Sequence, residues 1–302
     1  YPLSLHDALP ISSVAVNPEW GDPLVTLEFA KLSKAKSAFS LEAALNKGTT
    51  LLDCGQLYSF NTQLYRNINP KMETVLDKST VQGKTFSRVT SSDDPNLKKF
   101  AANKEAQFFI TDGILSLIMS CYRTFYSWDI VVTKKGDTYF FDRRKGDAVT
   151  VNENSAELPH NADVQDTLNN HDNLCNEASL VSQAFLLSSL QTQEPPTKFK
   201  YTNPFGSTSQ GLAPTAYLYK KLPLGDSGKF VVVRCEIEGV VKNKADQQEY
   251  TLIKTLQEYS PKITGDWRKK LETSRGSVVS MEYKNNAAKM CRWACQAVLA
   301  GA

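Results

Sequence analysis

The sequence contains few of the residues on which histidine and cysteine chemistry depends. Its 302 residues include only three histidines, His6, His160 and His171, and all lie in stretches with loop character. The six cysteines form no C-x-x-C pair, and Cys291 and Cys295 have helical spacing within an apolar stripe. This composition argues against a histidine-dependent triad, a zinc site and a disulfide framework. It indicates free thiols in a reducing compartment.

Long apolar runs and a strong net charge are also absent. The longest apolar run, FFITDGILSLIMSCY, contains Asp112 and is shorter than the ~20 residues that span a bilayer. A formal net charge of +3 does not by itself indicate a nucleic-acid-binding protein. Residues 1–10, YPLSLHDALP, lack the features of a secretory signal, and we interpret them as a fragment edge or a cloning scar. Residues 11–302 are expected to form one cytoplasmic domain with no membrane partner.

Hydrophobic periodicity predicts an α+β domain. The run ITDGILSLIMSCYRTFYSW has the spacing of one buried helical face, and WDIVVTKKGDTYFFDRR has the pattern of a hairpin. PTAYLYKKLPLG and GKFVVVRCEIEG predict two strands around a tight turn. Asp93 or Asp94 is expected to cap a helix that begins at Pro95. We expect two mainly antiparallel or mixed sheets flanked by helices.

The C-terminal region is predicted to contain two helices and one strand. DWRKKLETSRG has the pattern of a basic helix, GSVVSMEYK that of a strand, and NNAAKMCRWACQAVLAGA that of a final helix. The final helix shows no evident capping signal, so we expect the domain to be truncated at its C-terminus.

Residues 146–177 form a long polar insertion. The insertion contains seven acidic residues and no Lys or Arg. Such a segment inside a compact domain is typical of a functional or disordered loop. It is either a solvated surface insertion or an acidic flap that competes with phosphates for a basic groove. The groove residues are predicted to be Lys134, Lys135, Arg143 and Arg144.

Two acid-containing pairs are candidates for a metal site. Glu236 and Glu238 lie two residues apart in one predicted strand, and Glu282 and Lys284 lie two apart in another, so each pair shares a face. If the two strands are neighbours, three carboxylates and an ammonium group meet. That set could hold Mg²⁺ or Mn²⁺ and orient a water molecule. The alternative is a solvated acidic face on a half-buried strand.

An aromatic corner follows the predicted helix that contains Asp112. Arg123, Tyr126 and Trp128 lie close together in YRTFYSWDIVV. Aromatic rings stack on bases and attract a cationic purine such as N7-methylguanine, while a carboxylate accepts hydrogen bonds from its N1–H and N2–H₂ edge. These residues are either a base-binding site or part of the core.

Several blocks of the sequence, in order, resemble a known family. ISSVAVNPEW, TSSDDPNLKKFA, YSWDIVV, FFDRR, VRCEIEG, DWRKKLETSRG and MEYKNNAAKMCRWACQAVLAGA resemble the cap-binding domain of the d subunit of eukaryotic translation initiation factor 3. The resemblance extends from residue 11 to the last residue. It implies a cytoplasmic translation factor with a fold like that of the DXO and Rai1 decapping enzymes. It also implies binding of the mRNA 5′ cap during initiation on specific mRNAs, without catalysis or a cofactor.

The resemblance also implies roles for particular residues. Asp112 and Tyr126 match positions on a helix associated with cap recognition. A second functional helix matches Ser179, Ser182 and Gln183, where the family pattern is Thr, Asn and His. The segment that matches the family's mobile RNA gate contains Asp147, Glu153, Glu157 and Pro159.

The decapping relatives clarify the acidic pairs. They carry Glu-x-Asp on one strand and Glu-x-Lys on the next, whereas this chain has Glu-Ile-Glu at 236–238. The resemblance thus implies that Glu236, Glu238, Glu282 and Lys284 form a vestigial acidic site without a metal. The alternative is an active metal-dependent decapping hydrolase or 5′ exonuclease that uses these four residues. The implied partners are capped mRNA, the other subunits of the initiation factor and, indirectly, the 40S ribosomal subunit.

Overall fold

The computed structural model describes residue 25 and residues 45–66, 74–121, 130–143, 171–206, 211–256 and 267–302. The strands are β1 (Thr49–Leu57), β2 (Phe108–Thr111), β3 (Val131–Lys135), β4 (Thr138–Asp142), β5 (Thr197–Lys198), β6 (Ala216–Pro223), β7 (Phe230–Ile237), β8 (Gly239–Lys242) and β9 (Gln248–Thr251). The helices are α1 (Gln63–Arg66), α2 (Pro95–Ala102), α3 (Asp112–Met119), α4 (His171–Ser188), α5 (Trp267–Thr273), α6 (Arg275–Asn285) and α7 (Ala287–Ala300). A short 3₁₀ helix covers Lys78–Val81.

The strands form one large mixed sheet and one small sheet. The large sheet has seven strands in the order β3-β4-β2-β7-β6-β1-β5, and β8 pairs with β9 in the small sheet. β2 runs parallel to both of its neighbours, β4 and β7, while the other pairs are antiparallel. The structure confirms the expected α+β class with two mixed or antiparallel sheets.

Each face of the large sheet is covered by different helices. Side chains of α3 and α7 pack on one face, where Val231, Val233, Cys235 and Ile237 of β7 are buried together as the alternation predicted. Helix α2 packs on the other face, against Phe109, Phe140, Tyr219 and Val232. We call the second surface the α2 face. Both faces are therefore buried over much of their area.

A buried ion pair attaches α2 to the sheet. Asp94 is the N-cap of α2, and its Oδ1 accepts hydrogen bonds from the N–H groups of Asn96 and Leu97. Oδ2 accepts from Nη1 of Arg234 on β7 at 2.8 Å and from the Tyr219 hydroxyl on β6 at 2.9 Å. Asp94 is fully buried. One carboxylate thus satisfies two free helix N–H groups and neutralises the guanidinium of a central strand.

The Arg234 guanidinium is enclosed by further contacts. It lies 5.0 Å from the ring centre of Phe205 and 5.4 Å from that of Tyr217, and Nη2 donates to the Val89 carbonyl oxygen at 2.6 Å. Burial would lower the pKa of Arg234, but the Asp94 carboxylate outweighs this effect and raises it. Arg234 therefore remains charged inside the domain.

Most predicted elements are present, but one is wrong. The hairpin forms β3 and β4, the two alternating runs form β6 and β7, and Asp94 caps α2. GSVVSMEYK is not a strand, because residues 275–285 form α6. Val278 is buried, Met281 and Glu282 three and four residues later are partly buried, and Val279 and Tyr283 are exposed, which is a helical distribution. Packing against α5 and α7 overrides the β preference of the two valines and the tyrosine.

The final helix also differs from its prediction at its end. Gly301 has a φ of 77°, and its N–H donates to the carbonyl oxygen of Ala297 at 2.8 Å. Glycine adopts this left-handed conformation at little cost, so α7 has a glycine cap where none was expected. None of the helices in the described ranges has the length and apolarity needed to cross a membrane.

The Asp94–Arg234 pair generates the first prediction. Replacing Asp94 by Ala leaves a buried guanidinium without its carboxylate, which typically costs about 3–5 kcal/mol of unfolding free energy. The matched control is Asp93→Ala, since Asp93 is exposed and its contact with Lys98 spans 3.8 Å. We expect the control to lose less than about 1 kcal/mol. Urea unfolding measures both values, and similar small losses in the two variants would contradict the structural role of the pair.

Candidate functional site

An acidic corner forms where the carboxyl ends of β2 and β7 meet. The two strands are parallel, so both end at the same edge of the large sheet. Asp112 opens α3 directly after β2, Glu236 lies near the end of β7, and Glu238 lies between β7 and β8. Lys254 enters from the segment after β9. These four residues constitute the acidic corner.

Asp112 completes the hydrogen bonding of β7. The pairing of β2 with β7 ends at Thr111 and Arg234. One step past this last strand pair, Oδ2 of Asp112 accepts a hydrogen bond from the N–H of Glu236 at 3.1 Å. Asp112 is 5% exposed, and burial raises the pKa of its carboxyl group. These contacts give Asp112 a structural role, and its direct contact with a cap remains a prediction.

Glu238 and Lys254 form a buried ion pair. Oε1 of Glu238 accepts from Nζ of Lys254 at 2.6 Å, and Oε2 accepts from the N–H of Ile253 at 2.5 Å. Burial would lower the pKa of Lys254, but the carboxylates of Glu238 and Glu236 outweigh this effect and raise it. Glu238 is only 6% exposed, so the alternative of a solvated acidic strand face is wrong at this position.

The carboxylate of Glu236 is the least engaged group of the acidic corner. Its side chain is half-buried, and no hydrogen bond from the described residues reaches its carboxylate oxygens. Burial and then the negative charge of Glu238 raise the pKa of Glu236 to about 7, against the opposing charge of Lys254. A carboxyl group that titrates near neutral pH is typical of a functional site.

The structure does not bring Glu282 and Lys284 together with Glu236 and Glu238. Both residues lie on α6, where side chains two positions apart point in different directions. Oε2 of Glu282 accepts from Nδ2 of Asn286 at 2.9 Å, and Lys284 is exposed. The predicted four-residue constellation is therefore wrong, because its second strand is a helix.

Lys254 occupies the position in the site that sequence reasoning assigned to Lys284. The stretch YTLIKTLQEY around Lys254 has no clear period, and its function was not predicted. The missed signal is one basic residue in an apolar stretch immediately after a short strand. The pairing of β8 with β9 brings Lys254 to Glu238. It is extended by a hydrogen bond of 3.2 Å from the N–H of Glu238 to the Thr251 carbonyl oxygen.

The second predicted helix lies beside the acidic corner. Ser179, Ser182 and Gln183 are half-buried on α4, at the i, i+3, i+4 spacing of one helical face. The hydroxyl oxygen of Ser182 lies 2.7 Å from that of Thr255, the residue after Lys254. Helix α4 begins at His171, so the last part of the predicted 146–177 insertion is helical.

The other predicted site residues lie outside the described residues. They are Arg123, Tyr126 and Trp128 of the aromatic corner, and Asp147, Glu153, Glu157 and Pro159 of the gate.

The predicted basic groove is not one surface. Nζ of Lys134 lies 5.7 Å from the ring centre of Tyr139, whereas Nζ of Lys135 lies 5.6 Å from that of Phe140. Tyr139 and Phe140 are consecutive in β4 and point to opposite faces, so the two lysines are on opposite faces as well. Arg144 lies outside the described residues.

Arg143 lies near a second arginine. Burial and then the positive charge of Arg88 lower the pKa of Arg143. Arg88 precedes Val89, whose carbonyl oxygen accepts from Arg234 of β7. Two guanidinium groups that repel one another thus lie toward the end of β7 that carries Glu236.

The contacts of the acidic corner limit its chemistry. Asp112 and Glu238 already accept hydrogen bonds from N–H groups, and Glu238 is paired with Lys254. Within the described part of the chain, no three His, Cys, Asp or Glu side chains are grouped to hold a metal ion. What the corner offers is one carboxylate, Glu236, in a negatively charged environment. This arrangement suits a ligand with N–H donors or a positive charge.

The raised pKa of Glu236 generates the second prediction. The folded protein binds this proton more tightly than the unfolded chain does, so ionisation of Glu236 destabilises the fold as the pH rises from about 4.5 to about 7. We expect Glu236→Gln to match the parent near pH 4 and to be more stable at pH 8 by about 1–3 kcal/mol. Urea unfolding at both pH values measures the difference.

The control for this prediction is Glu194→Gln, which alters an exposed acid in the segment after α4. We expect the same small effect of that substitution at both pH values. A stability difference between Glu236→Gln and the parent that does not change with pH would contradict the raised pKa.

Known proteins similar to this chain point to one family. The family model described as eukaryotic translation initiation factor 3 subunit 7 (eIF-3) matches residues 6–302. The d subunit of eukaryotic translation initiation factor 3 from Schizosaccharomyces pombe is 36% identical over 98% of this chain and 53% of that protein. Its counterpart in Arabidopsis thaliana is 36% identical over 96% of this chain and 48% of that protein. The D-1 form of the same subunit in Drosophila melanogaster is 38% identical over 96% of this chain and 51% of that protein.

A solved structure of Scheffersomyces stipitis Rai1, in complex with (3′-NADP)+ and calcium ion, has a TM-score of 0.35 and 9% identity over 78% of this chain and 59% of that one. The chain spans about half the length of the curated relatives it matches. The family match and these relatives confirm the resemblance found in the sequence blocks. The chain belongs to the family of the d subunit of eukaryotic translation initiation factor 3.

Proposed function

We propose that this chain binds the capped 5′ end of mRNA as part of translation initiation factor 3, without hydrolysing it. Membership of this initiation factor family supports a role in initiation in the cytoplasm, together with the other subunits of the factor and, through them, the 40S ribosomal subunit. The proposed ligand-binding region is the acidic corner with the neighbouring face of α4. Tyr126 and Trp128 are proposed to stack on the cap base, and the segment 147–159 to gate the RNA.

The observation that carries the proposal is the state of Glu236. Its carboxylate is half-buried, lies close to Glu238, and has no hydrogen-bond donor among the described residues. Guanine presents N1–H and N2–H₂ donors on one edge, which a carboxylate accepts. Methylation at N7 makes the base cationic, so its charge complements the net negative charge of the corner. A cap base therefore supplies both the donors and the charge that Glu236 lacks.

The cap phosphates need a positive surface close to this base site. Arg88 and Arg143 raise the local positive charge toward the same end of β7. An anion placed between the two guanidinium groups would relieve their repulsion and accept hydrogen bonds from both. We therefore propose that the triphosphate bridge of the cap lies near Arg88 and Arg143, with the base at Glu236.

Cap binding generates the third prediction. Glu236 accepts hydrogen bonds best when ionised, so the affinity of the parent for a 7-methylguanosine triphosphate should rise between pH 5 and pH 7, as the carboxyl group with its pKa of about 7 begins to ionise and while the N7-methylated base still keeps its N1–H proton. Glu236→Gln should lower this affinity about tenfold or more at pH 7, because hydrogen bonds to charged groups contribute roughly 1.5–3 kcal/mol. Titration calorimetry at the two pH values measures both effects.

Unmethylated guanosine triphosphate and the Glu194→Gln variant are the controls. We expect the parent to prefer the methylated compound, Glu236→Gln to lose much of that preference, and Glu194→Gln to behave as the parent does. Equal affinities of the parent and Glu236→Gln for the methylated compound would show that Glu236 is not at the base site. Absence of any binding by the parent would contradict the proposed function.

The hydrolase alternative generates the fourth prediction. Capped RNA labelled in the cap should remain intact after incubation with the full chain and Mn²⁺, since Asp112 and Glu238 are already engaged by N–H donors. Chromatography of the products measures any release of cap or nucleotides. Release that depends on Glu236 would overturn the non-catalytic proposal, whereas release that persists in Glu236→Gln would indicate a contaminating nuclease.

A further inference from the structure

A second positively charged site lies at the other end of α2, away from the acidic corner. A cleft of about 550 Å³ opens between the C-terminal end of α2 and the β3–β4 hairpin. Its lining includes Lys98, Lys104 and Lys135, and we call it the lysine cleft. These three residues come from α2, from the segment after α2 and from β3.

Small side chains on α2 leave the space for the cleft. Ala101 and Ala102 line it three and four residues after Lys98, on the same side of the helix. Phe140 of β4 forms a buried floor, and Nζ of Lys135 lies 5.6 Å from the centre of its ring. Thr138 adds a hydroxyl group to the wall. The cleft thus combines an apolar floor with a polar, positively charged rim.

The charges in the cleft are poorly balanced by the protein. Lys98 lies 3.8 Å from Asp93, but both side chains are about half exposed, so this contact is weak. Within the ranges that the structure describes, neither Lys104 nor Lys135 forms a salt bridge. Asp137 is the only acidic residue in the described lining. Lys104 and Lys135 thus line one cavity without a salt bridge among the described residues, and together with Lys98 they give it a positive potential that attracts an anion.

Lys104 occupies a backbone position that favours glycine. It has a φ of 58° and directly follows Asn103, the C-cap of α2. Helices commonly end in this left-handed conformation, and glycine adopts it without the steric cost of a Cβ atom. The backbone alone therefore gives no reason for lysine here. The side chain instead adds the third positive charge to the cleft.

The lysine cleft and the acidic corner are on the same face of the sheet. Asp94, at the start of α2, binds Arg234, two residues before Glu236 on β7. The other end of α2 forms one side of the cleft, which lies beside the start of β2. At that start, Phe108 of β2 pairs with Val231 of β7. Val231 and Glu236 are five residues apart, or about 16 Å along a strand. A single RNA strand along α2 could therefore reach both sites.

We infer that the lysine cleft binds phosphate groups of the RNA chain downstream of the cap, an inference that rests on the proposed function. Lysines contact phosphates as point charges and carry no sequence information, which suits a protein that holds many different messages by their backbone. The cleft extends the binding surface of the α2 face beyond the cap itself. It adds affinity for RNA without adding contacts to the cap.

The test compares ligands that share a cap but differ in length. The variant Lys98→Gln/Lys104→Gly/Lys135→Gln removes the three charges, and fluorescence anisotropy follows binding of a capped 20-nucleotide RNA at several salt concentrations. We expect the variant to lose about tenfold or more in affinity at 0.1 M salt, and the slope of log affinity against log salt to fall by about 2. Affinity for a cap dinucleotide should not change.

The single variant Lys104→Gly separates binding from folding. Glycine suits the left-handed backbone, so this variant should unfold at the same urea concentration as the parent or a higher one. Its salt slope should still fall by about 0.7.

The matched charge control is Lys78→Gln/Lys244→Gln/Lys270→Gln, which removes three exposed lysines away from the cleft. We expect this control to keep nearly the parental slope.

Three outcomes distinguish this inference from the proposed function. A parental salt slope in the cleft variant, or an equal fall in the control variant, would overturn the inference. Poly-glutamate and unlabelled RNA of equal charge should also be compared as competitors of the labelled RNA. If poly-glutamate competes as strongly as RNA, the cleft binds acidic polymers in general and the inference is overturned. If the parent binds uncapped RNA through the cleft lysines but not the cap dinucleotide, the inference stands and cap binding fails.

Discussion

The buried pair between Asp94 and Arg234 is the constraint on which the α2 face depends. Arg234 lies on a central strand, so its charge has no access to bulk water and requires a carboxylate at a fixed place. Asp94 meets this need while also capping α2, so the helix begins where the guanidinium is. This contact fixes where α2 begins on the sheet. The acidic corner lies beyond the start of the helix, and the lysine cleft lies at its other end.

The acidic corner depends on where β2 stops. β2 has only four residues, whereas β7 has eight, so the last N–H groups of β7 on that side have no strand partner. Asp112 replaces the strand at that point, and the burial of its carboxyl group is the result. Glu236 and Glu238 are then held at the carboxyl end of the parallel strands β2 and β7. Open α/β sheets commonly bind ligands at the carboxyl ends of their strands. The pKa of Glu236 is raised to about 7 by burial at this place and then by the negative charge of Glu238.

Local chemistry was predictable from the sequence, and the choice of partners was not. The cap at Asp94, the hairpin and the alternation along β7 depend on neighbours in the chain, and the structure confirms all three. The site was predicted in part, because Glu236 and Glu238 are two residues apart at the end of one predicted strand, although Glu238 lies just beyond β7. Lys254 was missed and Lys284 chosen wrongly, because the lysine that reaches Glu238 is selected by the pairing of β8 with β9. The helix α6 was mistaken for a strand because its packing on α5 and α7 overrides the preference of Val278, Val279 and Tyr283 for extended backbone.

The contact between Ser182 and Thr255 has a mechanical consequence. Thr255 is bonded through the backbone to Lys254, and Ser182 is in the middle of α4. A ligand that drew Lys254 away from Glu238 would therefore also disturb the contact that Thr255 makes with α4. Residues 171–177 of the acidic insertion belong to α4. One hydroxyl contact thus joins the helix in which the insertion ends to the segment that supplies the lysine of the acidic corner.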